Sequence, residues 1–406
     1  MNRSKIARYA MFGMLYFAQG AILSYFTALN SLYLLSFNIS MSQIGLMGTI
    51  AMIPFVIKIF LGMLSDKVNF FRLGFRRPYI VIGLLVQSLC LFIVPFINPA
   101  AHFGLFALTA FILMTGMALY DTCTDGLALD TTPKEEEGAI QGFMVGGRAL
   151  GVVIISSIIG IVAERSSWST AFNALAVLTL LPLPLVLMAK ETERPAERQF
   201  EWKAFSAFTR PSIITLALLG ALYSLITNAA NQIVNPFLQA EFNISLSSAG
   251  FFTTIWGVGV ILGSLTGGRL IDRIGQRRAV HWAIGISIVS IALLALIINP
   301  IMAWPLVAAF GLAFGYYETV YFAISMNKSD PRIAASMFSI LMAIANIGTG
   351  IGLALSGSLV DALNYRWTFF IIAGLNLLAL PLLGVIFKPA EDRAASESPS
   401  PAHTAE

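Results

Sequence analysis

Residues 36–46 read SFNISMSQIGL and residues 241–251 read EFNISLSSAGF. The offset is 205 residues (241 minus 36), and at that offset Asn30 also falls on Asn235. Further along, GMLSDK (62–67) answers GRLIDR (268–273). Tyr120-Asp121 answers Tyr317-Glu318 at an offset of 197, and LPL at 181–183 answers LPL at 380–382. The shortening of the offset fits extra residues in the first copy's basic loop, VNFFRLGFRR (68–77). An ordered series of matches at a nearly fixed spacing is the mark of a duplicated unit. The two copies run in the same direction.

Composition gives the nature of the unit. Of the 406 residues 57% are hydrophobic and only 11% charged, with mean hydropathy +0.80, whereas a soluble domain is about half apolar and about a quarter charged. Apolar windows of about 20 residues cross a bilayer as helices. They fall near 9–35, 42–64, 79–98, 102–126, 139–163, 168–189, 212–236, 246–268, 280–299, 303–326, 336–360 and 367–387. The expected fold is an all-α polytopic membrane protein of 12 transmembrane helices in two pseudo-symmetric six-helix bundles, 1–189 and 212–388. The polar stretch 190–211 is a cytoplasmic linker in this reading. The tail 389–406 is small, polar and Pro-containing, a composition of disordered cytoplasmic segments.

The positive charges orient the spans. Of the 25 Lys and Arg, 21 fall in loops on the side of the N-terminus, two (Arg165 and Arg366) on the other side, and two (Lys58 and Arg148) within spans. Basic loops stay cytoplasmic, so both termini are expected inside, in a bacterial inner membrane. The basic start followed by an apolar run could be mistaken for a signal peptide, but the run is too long and no small-residue cleavage site closes it. It reads as an uncleaved first span.

Charges inside the spans are costly and by default functional. LYDTCTDGLALD (119–130) places Asp121, Asp125 and Asp130 behind the run FGLFALTAFILMTGMAL. Glu318 is followed by the apolar stretch TVYFAISM, which puts it about eight residues, or ~12 Å, from its helix end. Asp121 belongs at the same depth by correspondence, with Asp125 one turn lower on the same face. Arg148, on the next helix, reaches that depth from the other side of the turn near Lys134, which implies an Asp121–Arg148 or Asp125–Arg148 pair; Lys58 is another candidate partner. The second half puts Phe322, Asn327 and Ala345 where the first has Asp125, Asp130 and Arg148, so Glu318 has no local cation. Desolvation disfavours its charged form, making it the leading candidate proton carrier, with Asp121 and Asp125 next. Polar residues on the first span of each half, Gln19 and Asn30, then Asn228, Asn231 and Asn235, fall on single helical faces and mark a central cavity.

The basic loops carry a family likeness. Gly268, Leu270, Asp272, Arg273, Gly275, Arg277 and Arg278 resemble the loop signature of major facilitator superfamily transporters; Gly62, Leu64, Asp66 and Lys67, then Arg76 and Arg77 after the insertion, form the first copy. The resemblance implies that Asp66, Arg76, Arg77, Asp272, Arg273, Arg277 and Arg278 gate the cytoplasmic side. Asp121, Asp125, Asp130, Glu136, Gly138 and Arg148, within the acidic stretch, TPKEEEGA and GGRALG, resemble the branch containing AmpG-type muropeptide permeases and acetyl-coenzyme A transporters. That branch implies import of a bulky polar solute, commonly driven by protons, with siderophore importers among its relatives.

Other classes find no support. There is no phosphate-cradling loop, no nucleophilic triad, and no metal spacing among His102, His281, His403, Cys90 and Cys123. An enzyme, a metal site and a cofactor are therefore not expected, nor is nucleic acid as a partner, since the basic loops face anionic lipid. The expected partners are a small solute, protons and membrane lipid, with the protein a monomer. The leading function is proton-coupled import by alternating access. The alternatives are efflux or antiport of amphipathic compounds, and a non-transporting membrane assembly factor with the same fold.

Overall fold

The computed structural model describes residues 3–68, 74–132, 137–189, 209–328 and 334–387; the linker as far as 208 and the tail expected over 389–406 lie outside them. Among the described residues there is no strand, and twelve helical segments are long and apolar enough to cross a membrane. The elements are α1 (Arg3–Ala28), α2 (Asn30–Leu35), α3 (Met41–Lys67), α4 (Arg77–Ile93), α5 (Phe103–Thr131), α6 (Glu137–Arg165), α7 (Trp168–Leu180), α8 (Leu183–Met188), α9 (Pro211–Phe242), α10 (Leu246–Ile274), α11 (Gln276–Leu294), α12 (Pro300–Lys328), α13 (Ala334–Ala362), α14 (Tyr365–Leu375) and α15 (Leu380–Ile386). The first span, read as one stretch, is broken at Leu29 into α1 and α2. The sixth span is interrupted at its LPL sequence, and the twelfth over Asn376–Ala379, just before its own LPL begins α15; proline lacks the N–H that would continue the preceding helix.

The repeated stretch FNIS is a stop-and-start signal. Asn38 and Asn243 both adopt positive φ (58° and 51°), a left-handed turn that asparagine tolerates and that ends a helix. Two residues on, Ser40 and Ser245 accept hydrogen bonds from the backbone N–H of Gln43 and Ser248 and so cap α3 and α10. The glycine of the basic-loop signature has positive φ in both copies: Gly74 (φ 123°) stands two residues before Arg76 and Gly275 (φ 79°) two before Arg277. A side chain at either position would be strained.

Packing follows the duplication. In the first half α1 packs on α6, and α5 on α3 and α4; in the second, α9 packs on α13, and α12 on α10 and α11. The halves meet along α3 against α13 and α6 against α10. Both free cysteines, Cys90 and Cys123, are buried.

Candidate functional site

The seam between the halves is one set of contacts built twice. Gly45 of α3 lies against the backbone of Leu353 in α13, and its counterpart Gly250 lies against Ser156 of α6; a Cβ at either would come within 2.3 Å of a carbonyl oxygen. Thr49 Oγ1 donates to the Gly350 carbonyl (2.6 Å) and Thr254 Oγ1 to the Val153 carbonyl (2.7 Å). At the ends of the seam stand two carboxylates. Asp361 accepts from the backbone N–H of Met41 and Ser42 (3.1 and 2.7 Å), and Glu164 accepts from the N–H of Ser247 (2.7 Å). Each closes the N-terminus of a helix from the opposite half, where backbone N–H groups and the helix dipole favour an anion.

All these contacts lie on the face opposite the basic loops. The hydrogen bond from Asn346 Nδ2 to the Phe55 carbonyl (3.3 Å) is the deepest along α3. Among the described residues, no hydrogen bond joins the halves between that level and the basic face. The hydrogen bonds between the halves are thus gathered on the face opposite the basic loops, among the described residues. Asp361→Asn combined with Glu164→Gln is expected to weaken the shut face by on the order of tenfold in the closed-to-open ratio. Spin labels at exposed Ser166 and Leu363 would then report a longer-distance population, and an unchanged distribution would show that neither carboxylate holds the face closed.

A layer of charge sits where the seam ends. Lys58 Nζ pairs with Asp121 Oδ2 at 3.2 Å, and Gln19 Nε2 donates to Asp121 Oδ1 at 2.8 Å. Tyr16 donates its hydroxyl hydrogen to Asp125. The backbone of Arg148 touches Gly20, where a Cβ would come within 2.1 Å of the Arg148 carbonyl oxygen. Gln19, Lys58, Asp121 and Arg148 therefore occupy one level. The expected pairing of Arg148 with Asp121 or Asp125 is not what forms: Lys58 and Tyr16 take those carboxylates, and the exposed Arg148 side chain has no hydrogen-bond or ion-pair partner among the described residues. Glu318, half-buried on α12 beside Tyr223, likewise has none. Lys58 corresponds to Gly263 at the 205-residue offset, which leaves Glu318 no equivalent cation in its own half.

The amide residues divide. Asn235 bridges the halves by donating to the Ala28 carbonyl of α1 (2.9 Å), and it also reaches Thr253 Oγ1 in α10. Asn228 ties α9 to α13 through Thr349. Asn231 shares a small enclosed space with Thr27 and Trp256. Asn30 is buried at the start of α2. On the basic face, Arg76 bonds Ser65 Oγ (2.5 Å) and approaches Asp130 (3.4 Å), while Arg77 bonds the Val186 and Leu187 carbonyls, so both bind their own half together. Asp272, Arg273, Arg277 and Arg278 are exposed, with no ion pair among the described residues; the side chain of Asp66 and all of Glu136 lie outside them.

Two like bundles joined by a pseudo-two-fold seam and closed on one face around a charged layer have the architecture of an alternating-access membrane transporter. The chain belongs to the Major Facilitator Superfamily, whose model matches residues 10–231 and 216–405. It is 24% identical over 383 residues to a Rickettsia conorii protein described as the transporter AmpG 1, covering 86% of this chain and 90% of that one. It is 26% identical over 247 residues to the sialic acid transporter NanX of Escherichia coli, covering 58% of each. It is 24% identical over 290 residues to the transcription regulatory protein OpdE of Pseudomonas aeruginosa, covering 66% of this chain and 69% of that one. The fold is shared with the nucleoside transporter NupG (TM-score 0.78, 16% identity, 96% and 100% covered). It is shared also with a bacterial homologue of the lysosomal transporter Spinster in an inward-facing, unoccupied conformation (TM-score 0.72, 16% identity, 98% of each covered).

Proposed function

We propose that this secondary transporter imports a bulky polar solute, of the size of a cell-wall fragment or siderophore, together with protons. The observation that carries the reading is the charged layer that begins where the hydrogen bonds between the halves end: Lys58–Asp121, Arg148 and Glu318 near one depth, with Tyr16–Asp125 a turn away. A structural clamp needs its charges matched. This layer has a matched pair and, across the gap from each other, an arginine and a carboxylic acid without hydrogen-bond partners among the described residues. Glu318 carries the coupling proton, and Asp125 and Asp121 are the next acids in the path. The cross-half hydrogen bonds lie away from the basic loops, and the positive-inside rule puts those loops in the cytoplasm, which supports reading this as the inward-open arrangement. Asp272 and the arginines around it stand disengaged here, as groups that close the basic face in the opposite arrangement would.

The likeness to the AmpG-type proteins supports a polar cell-wall-derived solute, and the likeness to NanX an acidic sugar. Proteoliposomes test the reading: uptake of labelled muropeptide or sialic acid is expected to rise with an inward pH gradient and to stop when a protonophore collapses it. Uptake indifferent to the gradient would remove proton coupling, and expulsion of the solute would favour antiport. The likeness to OpdE supports a second reading, a membrane-bound regulatory or assembly role, in which no solute crosses under any gradient.

A further inference from the structure

The charges of the central layer do not cancel in place. Asp121 is engaged by Lys58 and Gln19, and Asp125 by the Tyr16 hydroxyl. Arg148 alone among the layer's cations is exposed and without a hydrogen-bond or ion-pair partner among the described residues. Its position is fixed by the backbone, because α6 lies against α1 at Gly20 with no room for a Cβ between them. Its side chain leaves α6 between the face packed on α1 (Gly147 and Gly151) and the face packed on α10 (Val153 and Ser156), which directs it into the gap rather than toward lipid.

Glu318 stands opposite. The last close approach of α6 to α10 sets Val153 beside Gly257, and α12 meets α10 at that level through Gly311 and Trp256. Counting along the helices toward the basic face, Arg148 is five residues below this level and Glu318 seven, which is ~7 and ~10 Å at 1.5 Å per residue. The two thus stand within about 3 Å of one level, on helices that both pack against α10. One belongs to each half, and no hydrogen bond joins them in this arrangement.

We infer that the solute carries an anionic group, a carboxylate or phosphate, held by Arg148, and that this group and the Glu318 carboxylate compete for the one guanidinium. The inference rests on the transporter reading and names the chemistry of its substrate. A planar guanidinium presents paired N–H donors that match carboxylate and phosphate oxygens. An anion seated on it removes the cation facing Glu318, so Glu318 is left to take a proton. Solute anion and proton then enter together. An empty carrier keeps Arg148 to balance an ionised Glu318. Release of the anion restores that attraction and expels the proton.

Binding to the purified full-length protein tests this, using N-acetylmuramic acid and glucuronic acid, the methyl ester of each, and inorganic phosphate as probes at one fixed pH. At least one acid or phosphate is expected to bind, with the corresponding esters at least tenfold weaker. Arg148→Gln should weaken the anion about 10- to 100-fold, the range for losing a charge-assisted hydrogen bond. Arg148→Lys should fall between, since it keeps the charge and loses the fork. Glu318→Gln should tighten anion binding severalfold by removing the competitor. Because Arg148 has no hydrogen-bond or ion-pair partner among the described residues, the ligand-free melting temperature of Arg148→Gln should match the parent protein, which separates lost binding from lost fold. Esters that bind as well as acids, an Arg148→Gln variant with undiminished anion affinity, or no binding by any of the anions to either the parent or Glu318→Gln would each overturn the assignment. Gradient-driven uptake of a neutral solute, unaffected by Arg148→Gln, would remove the anion site while leaving the transporter reading in place.

Discussion

Proteoliposomes carrying Glu318→Gln are expected to lose gradient-driven accumulation while keeping most of their solute counterflow. A gradient of one pH unit is worth about 1.4 kcal/mol per proton, a tenfold accumulation ratio. Without an exchangeable proton that ratio should fall to about one. Glutamine preserves the size of the side chain and its ability to hydrogen-bond, and it imitates the protonated acid, so the loaded carrier can still shuttle between its two faces. What it removes is the return of an empty, deprotonated carrier. The result is specific to position 318 because no hydrogen bond or ion pair among the described residues holds this carboxyl in place. Asp121, by contrast, is bound by Lys58 and Gln19, and Asp121→Asn should disturb the fold of its layer before it disturbs coupling. A Glu318→Gln carrier that concentrates solute as well as its parent would remove this residue from the mechanism.

The second large effect concerns stability. Lys58→Met is expected to cost about 3–5 kcal/mol, the range for removing one partner of a buried pair, and to lower the melting temperature in detergent by on the order of 10 °C. Asp121 is the vulnerable member. Its side chain is 7% exposed against 29% for Lys58, so the carboxylate is stranded when the cation goes, whereas the ammonium still reaches water when the acid goes. Asp121→Asn alone should therefore cost less than Lys58→Met. The double variant, Lys58→Met with Asp121→Leu, should recover most of the loss, since replacing a buried pair by apolar groups is often close to neutral. Equal costs for Lys58→Met and Asp121→Asn would remove the asymmetry in burial, and a double variant costing the sum of Lys58→Met and Asp121→Leu would show that the contact contributes nothing as a pair.

The sequence made the duplication and the depth of the acids legible because both are local in their causes. Apolar windows set the spans, and the FNIS stretches mark the same turn twice. Glu318 and Asp121 sit at matching places because α5 and α12 have the same length, 29 residues each. The seam was equally available in the letters. The 197-residue offset sets Glu164 on Asp361, and the 205-residue offset sets Thr49 on Thr254 and Gly45 on Gly250. Yet nothing in one copy says which surface meets the other copy, so those residues read as ordinary helix ends and packing positions.

Partner choice within the charged layer was only partly legible in the letters: Lys58, one of two candidate cations, is the one that pairs with Asp121, and the expected Arg148 pair does not form among the described residues. Counting from the turn near Lys134 gave Arg148 the right depth, and depth suggested a bond to Asp121. Which cation reaches a carboxylate depends on the rotation of each helix about its axis, and rotation is set by packing against neighbours. The contact of α1 with α6 at Gly20 turns Arg148 into the gap, and α3 delivers Lys58 to Asp121 instead. Period, length and charge placement thus determined from sequence that this is a duplicated twelve-span membrane protein with acids at mid-depth. Only tertiary packing decided which acids are neutralised and which cation is left facing the gap, because a side chain's partner is fixed by the angle between helices and not by its position along one.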